Sequence, residues 1–223
     1  MKKQILAICS IAMIGGAITF TSCKQDDITA PVITITGGAT QSQNLPATAG
    51  AGTWTNPTAT ATDDEDGDVS SGVTVSGTVD PNVAGSYTLT YSVSDAAGNT
   101  ATETVTVSIV NQAGYLAGAY TNAYDTCQSG IASLFDATIS ADQGINNKIM
   151  ITNFGAFGNT ITIIANVSGS SMSFPGSQTL GGSASLVTSS GTITNTTDPT
   201  FTVAYTWTDG SSTEVCTTTY NHD

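Results

Sequence analysis

Tyr87-Thr88-Leu89-Thr90-Tyr91-Ser92-Val93-Ser94 is the stretch that decides the fold. Apolar side chains fall at every second position and hydroxyl-bearing ones fill the gaps. A period of two belongs to a β-strand, whose successive side chains leave opposite faces. One face is built for burial and the other for water, as in an antiparallel sheet with one wet side. Val105, Val107 and Ile109 repeat the alternation against Thr104, Thr106 and Ser108. Between the two runs, Ala97-Gly98-Asn99 supplies a hairpin turn. Ile33 with Ile35, and Val73 with Val75, give shorter versions. Residues 31–110 therefore read as a β-sandwich of short strands.

The same period returns downstream. Phe201, Val203, Tyr205 and Trp207 alternate with Thr202, Ala204, Thr206 and Thr208. Ile149 and Ile151, Ile161 and Ile163, and Met172 and Phe174 mark further strands, and glycines punctuate them. No helical period interrupts the series. About eight strands in a meander are expected over residues 115–223, as a second antiparallel β-sandwich or a small barrel. Asn111 to Gly114 reads as the linker. The fold class is all-β.

Composition agrees. Thr and Val favour strands and Gly favours turns. Charged residues make up only 9% of the chain, which is not the composition of disorder. The charge is lopsided: 17 acids stand against four lysines, with no arginine. Such a surface repels phosphate backbones, which excludes nucleic acid as a partner. It also repels anionic headgroups, so any hold on a membrane has to be hydrophobic.

The N-terminus supplies that hold. Lys2 and Lys3 precede a nearly unbroken apolar run from Ile5 to Phe20, then Thr21-Ser22-Cys23. The run is shorter than the roughly 20 residues of a spanning helix and suits a signal-peptide core over residues 1–22. A small residue before Cys resembles a lipobox, in which the Cys23 thiol receives diacylglycerol and becomes the first residue. A chain starting there carries 17 acids against two lysines, a net charge of −15. Asp is absent directly after Cys23, and Lys24-Gln25-Asp26-Asp27 resembles the surface-export tether of Bacteroidota lipoproteins. Residues 23–30 are thus expected to tether the protein to the outer membrane, facing outward. The several acyl chains of a mature lipoprotein anchor it firmly.

Three motifs in residues 28–110 resemble a bacterial Ig-like domain of the type named after a pesticidal crystal protein. They are Asp63-Asp64-Glu65-Asp66-Gly67-Asp68, Gly85-Ser86-Tyr87-Thr88-Leu89-Thr90-Tyr91 and Ser94-Asp95-Ala96-Ala97-Gly98-Asn99. Tyr87 stands where an Ig-type tyrosine corner would be, with Leu89 in place of the second disulfide cysteine. Tyr115 to Tyr120 and Lys148 to Phe154 resemble the C-terminal, lipocalin-like domain of uncharacterised Bacteroidota lipoproteins, which carries no known activity.

Two cysteines remain besides Cys9 and Cys23. Cys127 and Cys216 follow export into an oxidising compartment, where even cysteines pair. The closed loop of about 90 residues is worth about 4–5 kcal/mol by chain entropy.

The inventory for catalysis is thin. The lone histidine, His222, is the next-to-last residue, where no second group is expected to hold it. Asp125, Asp136, Asp142, Asp198, Asp209 and Glu214 could in principle serve a paired-carboxylate glycan hydrolase, but they are scattered near turns. No enzymatic activity is expected. The candidate metal ligands are Asp63, Asp64, Asp66, Asp68, Asp95 and Asn99, as a calcium site. The acidic run is not an EF-hand, because aligning Gly67 with that loop's glycine puts Val73 where a bidentate Glu belongs. In an Ig-type topology the acidic run and the 95–99 loop share one pole, which also carries the domain's N-terminus. Solvated acidic turns are the alternative.

Phe201, Tyr205 and Trp207 share one strand face, which serves either a core or a carbohydrate platform. Trp54, in Thr53-Trp54-Thr55-Asn56-Pro57, is the stronger candidate for an exposed aromatic. The order of tether, Ig-like spacer and terminal β-module suggests a non-catalytic binding or adhesion lipoprotein with a glycan or surface-protein partner. The alternative is a structural envelope lipoprotein without a soluble ligand.

Overall fold

A computed structural model describes residues 26–223. The signal peptide and Cys23 lie outside the described residues. The chain is all-β, with Ig-like sheets followed by a closed antiparallel barrel of 8 strands.

Two compact units divide the chain: residues up to 39 with 57–76 and 90–105, and residues 40–56 and 77–89 with 106–223. In the first, β1 (Val32–Ile35) pairs antiparallel with β3 (Ala59–Asp63), and β3 with the short β4 (Gly67–Asp68). β5 (Thr74–Ser76) pairs with the 90–92 part of β6 (Gly85–Ser94). Ile33, Ala61, Tyr91, Val93 and Val105 are buried. The Tyr91 hydroxyl is carried inside with its ring and donates to the Pro57 carbonyl at 2.7 Å. That bond relieves the cost of burying a hydroxyl.

β6 and β7 (Thr100–Val110) run on into the second unit. There β2 (Thr40–Asn44) pairs parallel with the 106–110 end of β7. Tyr87 forms the expected corner, its hydroxyl donating to the Val83 carbonyl at 2.8 Å. Asn111 then begins the connection to the barrel, a 3-10 turn over Gln112–Leu116. Its amide nitrogen donates to the carbonyls of Asp142, Ile145 and Lys148, and its oxygen accepts from the amides of Ala113 and Asn147. Two further backbone bonds, Ala84 to Gln143 and Asn146 to Pro46, tie residues 46 and 84 to the same barrel turn. The connection is thus a bonded joint within this unit.

The barrel is an up-and-down meander. Its strands are β8 (Gly118–Cys127), β9 (Ala132–Ala141), β10 (Lys148–Thr152), β11 (Thr162–Ser168), β12 (Ser171–Ser173), β14 (Ala184–Asn195), β15 (Thr200–Thr208) and β16 (Thr213–Asn221). β12 pairs with β14 and β16 with β8, which closes the ring. A further strand, β13 (Gln178–Gly181), lies against the start of β14. Closure leaves few of the unpaired strand edges that invite aggregation.

One bulge sets the inward face of β8. Register shifts between Tyr120 and Ala123, with Asn122 at φ 53°. Asn tolerates that left-handed conformation better than most residues. The shift lets Tyr120, Ala123 and Asp125 all point inward. Among the interior side chains are Tyr120, Phe201, Tyr220, Phe154, Ile149 and Ile151, each fully buried. Phe201 stacks on Tyr220 at 4.5 Å between centroids and meets Tyr120 edge-on at 5.4 Å. The Tyr120 hydroxyl donates to the Leu116 carbonyl at 2.9 Å, a second corner of the Tyr87 kind.

Candidate functional site

Two places gather polar chemistry, and one stretch of outer wall exposes large apolar side chains. The first polar place is the acidic turn between β3 and β4, at the tip of the Ig-like domain. Asp63 folds this turn: its Oδ1 accepts from the amides of Glu65 and Asp66, both at 3.0 Å. Its Oδ2 is buried and has no hydrogen-bond partner. Asp66 Oδ2 accepts from the Ala96 amide at 2.7 Å, which brings the turn against the 95–99 loop as the topology argument expects. Asp27 arrives from the segment before β1, held where its carbonyl accepts from the Asn99 amide nitrogen. Carboxylate oxygens of Asp27, Asp63 and Asp66 lie within 4.8 Å of one another.

The other predicted ligands stand outside this triad. Asp95 and Asn99 close their own loop, Asn99 donating to both Asp95 oxygens from its backbone and side chain. Burial alone would raise the Asp95 pKa, but these bonds and those from the Gly98 and Ala97 amides bring it below the usual carboxylate value. Asp68 caps Ser70, whose hydroxyl and amide lower its pKa. Asp64 meets the Thr29 hydroxyl at 3.5 Å. Two of the six predicted residues are therefore gathered, and the third member, Asp27, was missed. It lies 36 residues before Asp63 in the chain, so only the fold could bring it there.

The second place is inside the barrel. Asp125 is 5% exposed. Tyr205 donates to its Oδ2 at 2.9 Å and Thr218 to its Oδ1 at 2.6 Å. Burial raises its pKa, and the two hydrogen bonds oppose that rise. The approach of Tyr205 depends on Gly155, which sits at φ 57°, where a Cβ would collide with the Tyr205 hydroxyl. Cys127 and Cys216 face each other in register on β8 and β16 beside this network and form the expected disulfide.

Four of the remaining scattered acids have local duties. Asp142 pairs with Lys148, the only lysine among the described residues, at 3.0 Å. Asp209 accepts from the amides of Ser211 and Ser212, which hold its pKa down. Asp136 caps the bulge at Asn122. Glu214 meets the Ser129 amide.

The aromatic strand face resolves toward the core: Phe201 and Tyr205 are buried, and Trp207 is half-buried against Phe157. Trp54 is half-buried too, its indole nitrogen donating to Asn56 at 2.7 Å. An exposed aromatic that the sequence reading did not find is Tyr124, 47% exposed on the outer wall and paired across strands with Leu134, 66% exposed. Beside them, Thr126, Thr217 and Thr219 continue the outward face across β8 and β16, and Val215 extends it. A shallow groove of about 340 Å³ lies further along the wall, lined by Thr188, Ser189, Ser190, Ala204, Tyr205, Thr206 and Val215. No charged residue is among them.

No curated protein matches the chain. Solved structures share it only distantly. A lipoprotein of Bacteroides thetaiotaomicron is 19% identical over 85% of this chain and 99% of that one, with a TM-score of 0.37. A carbohydrate-binding module with INT domains from Clostridium perfringens ZmpB, in complex with GlcNAc, is 17% identical over 79% of this chain and 29% of that one, at 0.28. A protein of unknown function from Nostoc punctiforme is 16% identical over 68% and 66%, at 0.30. Residues 33–109 fit the family described as bacterial surface protein, Ig-like domain.

Proposed function

We propose that this is a lipid-anchored protein of the cell surface, held in the outer membrane through Cys23, and that its barrel is a non-catalytic binding module for a neutral glycan or a surface protein. The observation that carries the binding role is the exposed Tyr124–Leu134 pair with the threonine strip beside it, where Asp136 is the neighbouring charge on the same face of a strongly acidic protein. A partner approaching there meets apolar surface and hydroxyls. An aromatic ring among hydroxyls suits a sugar, which offers C–H faces and many hydrogen-bonding groups. The location rests on the N-terminal sequence and on the surface-protein description of the matched family.

The filled barrel interior argues against a small apolar ligand held inside. Five of the six acids considered for hydrolysis have other duties: Asp125 is buried with both oxygens committed, and Asp142, Asp209, Asp136 and Glu214 serve ion-pair, turn and bulge bonds. The full chain, displayed on arrays of neutral glycans and surface proteins, should bind a defined subset, and Tyr124→Ala should weaken that binding at least tenfold. Uniform absence of binding would remove the adhesion reading and leave a structural envelope role.

A further inference from the structure

We propose that the tip of the Ig-like domain binds one Ca²⁺ ion between Asp27, Asp63 and Asp66, and that the ion fastens the tether segment to the domain. This site does not depend on the binding role of the barrel. The observation that separates it from an ordinary acidic turn is Asp63 Oδ2. A buried charged oxygen without a partner is costly, and native structures keep few of them. Asp63 also stands in a cluster whose other members are carboxylates, so its neighbours add repulsion. Among the described residues the one lysine is committed elsewhere, to Asp142. A cation answers both the missing partner and the repulsion.

The donor set favours calcium. Three carboxylates on turn and tether segments are hard oxygen ligands without rigid octahedral placement, which suits Ca²⁺ better than Mg²⁺. One oxygen of each is already anchored by a backbone amide: Asp27 by Thr29, Asp63 by Glu65 and Asp66, and Asp66 by Ala96. Those bonds set the carboxylates before an ion arrives. The three come from two separate stretches of chain, so an ion shared among them cross-links residue 27 to the domain. The consequence is mechanical: the segment leaving the membrane stiffens where it meets the first strand.

The test uses the full chain in detergent, stripped with EDTA. Calcium chloride at 1 mM should raise the melting temperature by about 5 °C or more over sodium chloride of equal ionic strength. Asp63→Asn and Asp27→Asn should each weaken calcium binding by at least tenfold in a calorimetric titration. Asn keeps the Oδ1 that folds the acidic turn, and Asp27 lies outside every strand, so at least the second variant reports on a folded protein. Calcium acting no differently from sodium, or both variants binding calcium like the parent, overturns the site.

Discussion

Replacing both Cys127 and Cys216 by serine should cost about 4–5 kcal/mol, the chain-entropy value for a closed loop of this length. The bond spans 89 residues and joins the first strand of the barrel to the last. Its two cysteines are in register on paired strands, so native pairing holds them together without moving the backbone. In the unfolded chain the bond removes loop conformations, and that is where most of its effect lies in the entropic account. A domain typically has 5–15 kcal/mol in total, so the loss takes a large share. Denaturant titration of the full chain, parent against the double-serine variant, measures it. A midpoint shift equivalent to less than about 1 kcal/mol would mean that the reduced chain is already constrained.

Phe201→Ala should destabilise the barrel by about 3–5 kcal/mol, the usual cost of emptying a buried phenylalanine site. Phe201 has no exposed surface and touches two other interior rings. The neighbouring strands are locked by ring closure, so the cavity cannot easily collapse. Tyr124→Ala provides the contrast. Its ring is exposed, and removing it should change stability by no more than about 0.5 kcal/mol. If Phe201 instead belonged to an open carbohydrate platform, its removal would spare the melt and abolish binding. Thermal denaturation of the two variants side by side distinguishes these cases.

The legible parts of the fold are those where apolar residues alternate with polar ones. The 85–94, 100–110 and 200–208 strands carry that signal in their own side chains. β2 and β3 do not: Thr-Gln-Ser-Gln-Asn and Ala-Thr-Ala-Thr-Asp bury almost nothing large, and pairing with neighbours makes them strands. β8 hides its period for another reason, since the bulge at Asn122 shifts the inward face by one residue. The Tyr87 corner was visible because Gly85 and Leu89 frame it. The Tyr120 corner was not, because its partner carbonyl, that of Leu116, ends a 3-10 turn that starts inside the stretch read as linker.

The site divides in the same way. An acidic run is readable in a sequence, and so is the topology that places the 95–99 loop beside it. The unpartnered oxygen of Asp63 depends on which backbone amides the turn offers, and Asp27 depends on how the segment before β1 returns. The exposed Tyr124–Leu134 pair was unreadable too. Leu134 and Val215 look like core residues by type, and only barrel closure reveals that they face outward.

The central claim is that the protein is a lipid-anchored surface molecule, and external protease on intact cells tests it most directly, with Cys23→Ala alongside. The account expects the parent to be removed by protease while the cells stay whole, and the variant to be lost from the membrane fraction. Protection of the parent until the outer membrane is broken would contradict it and place the protein in the periplasm.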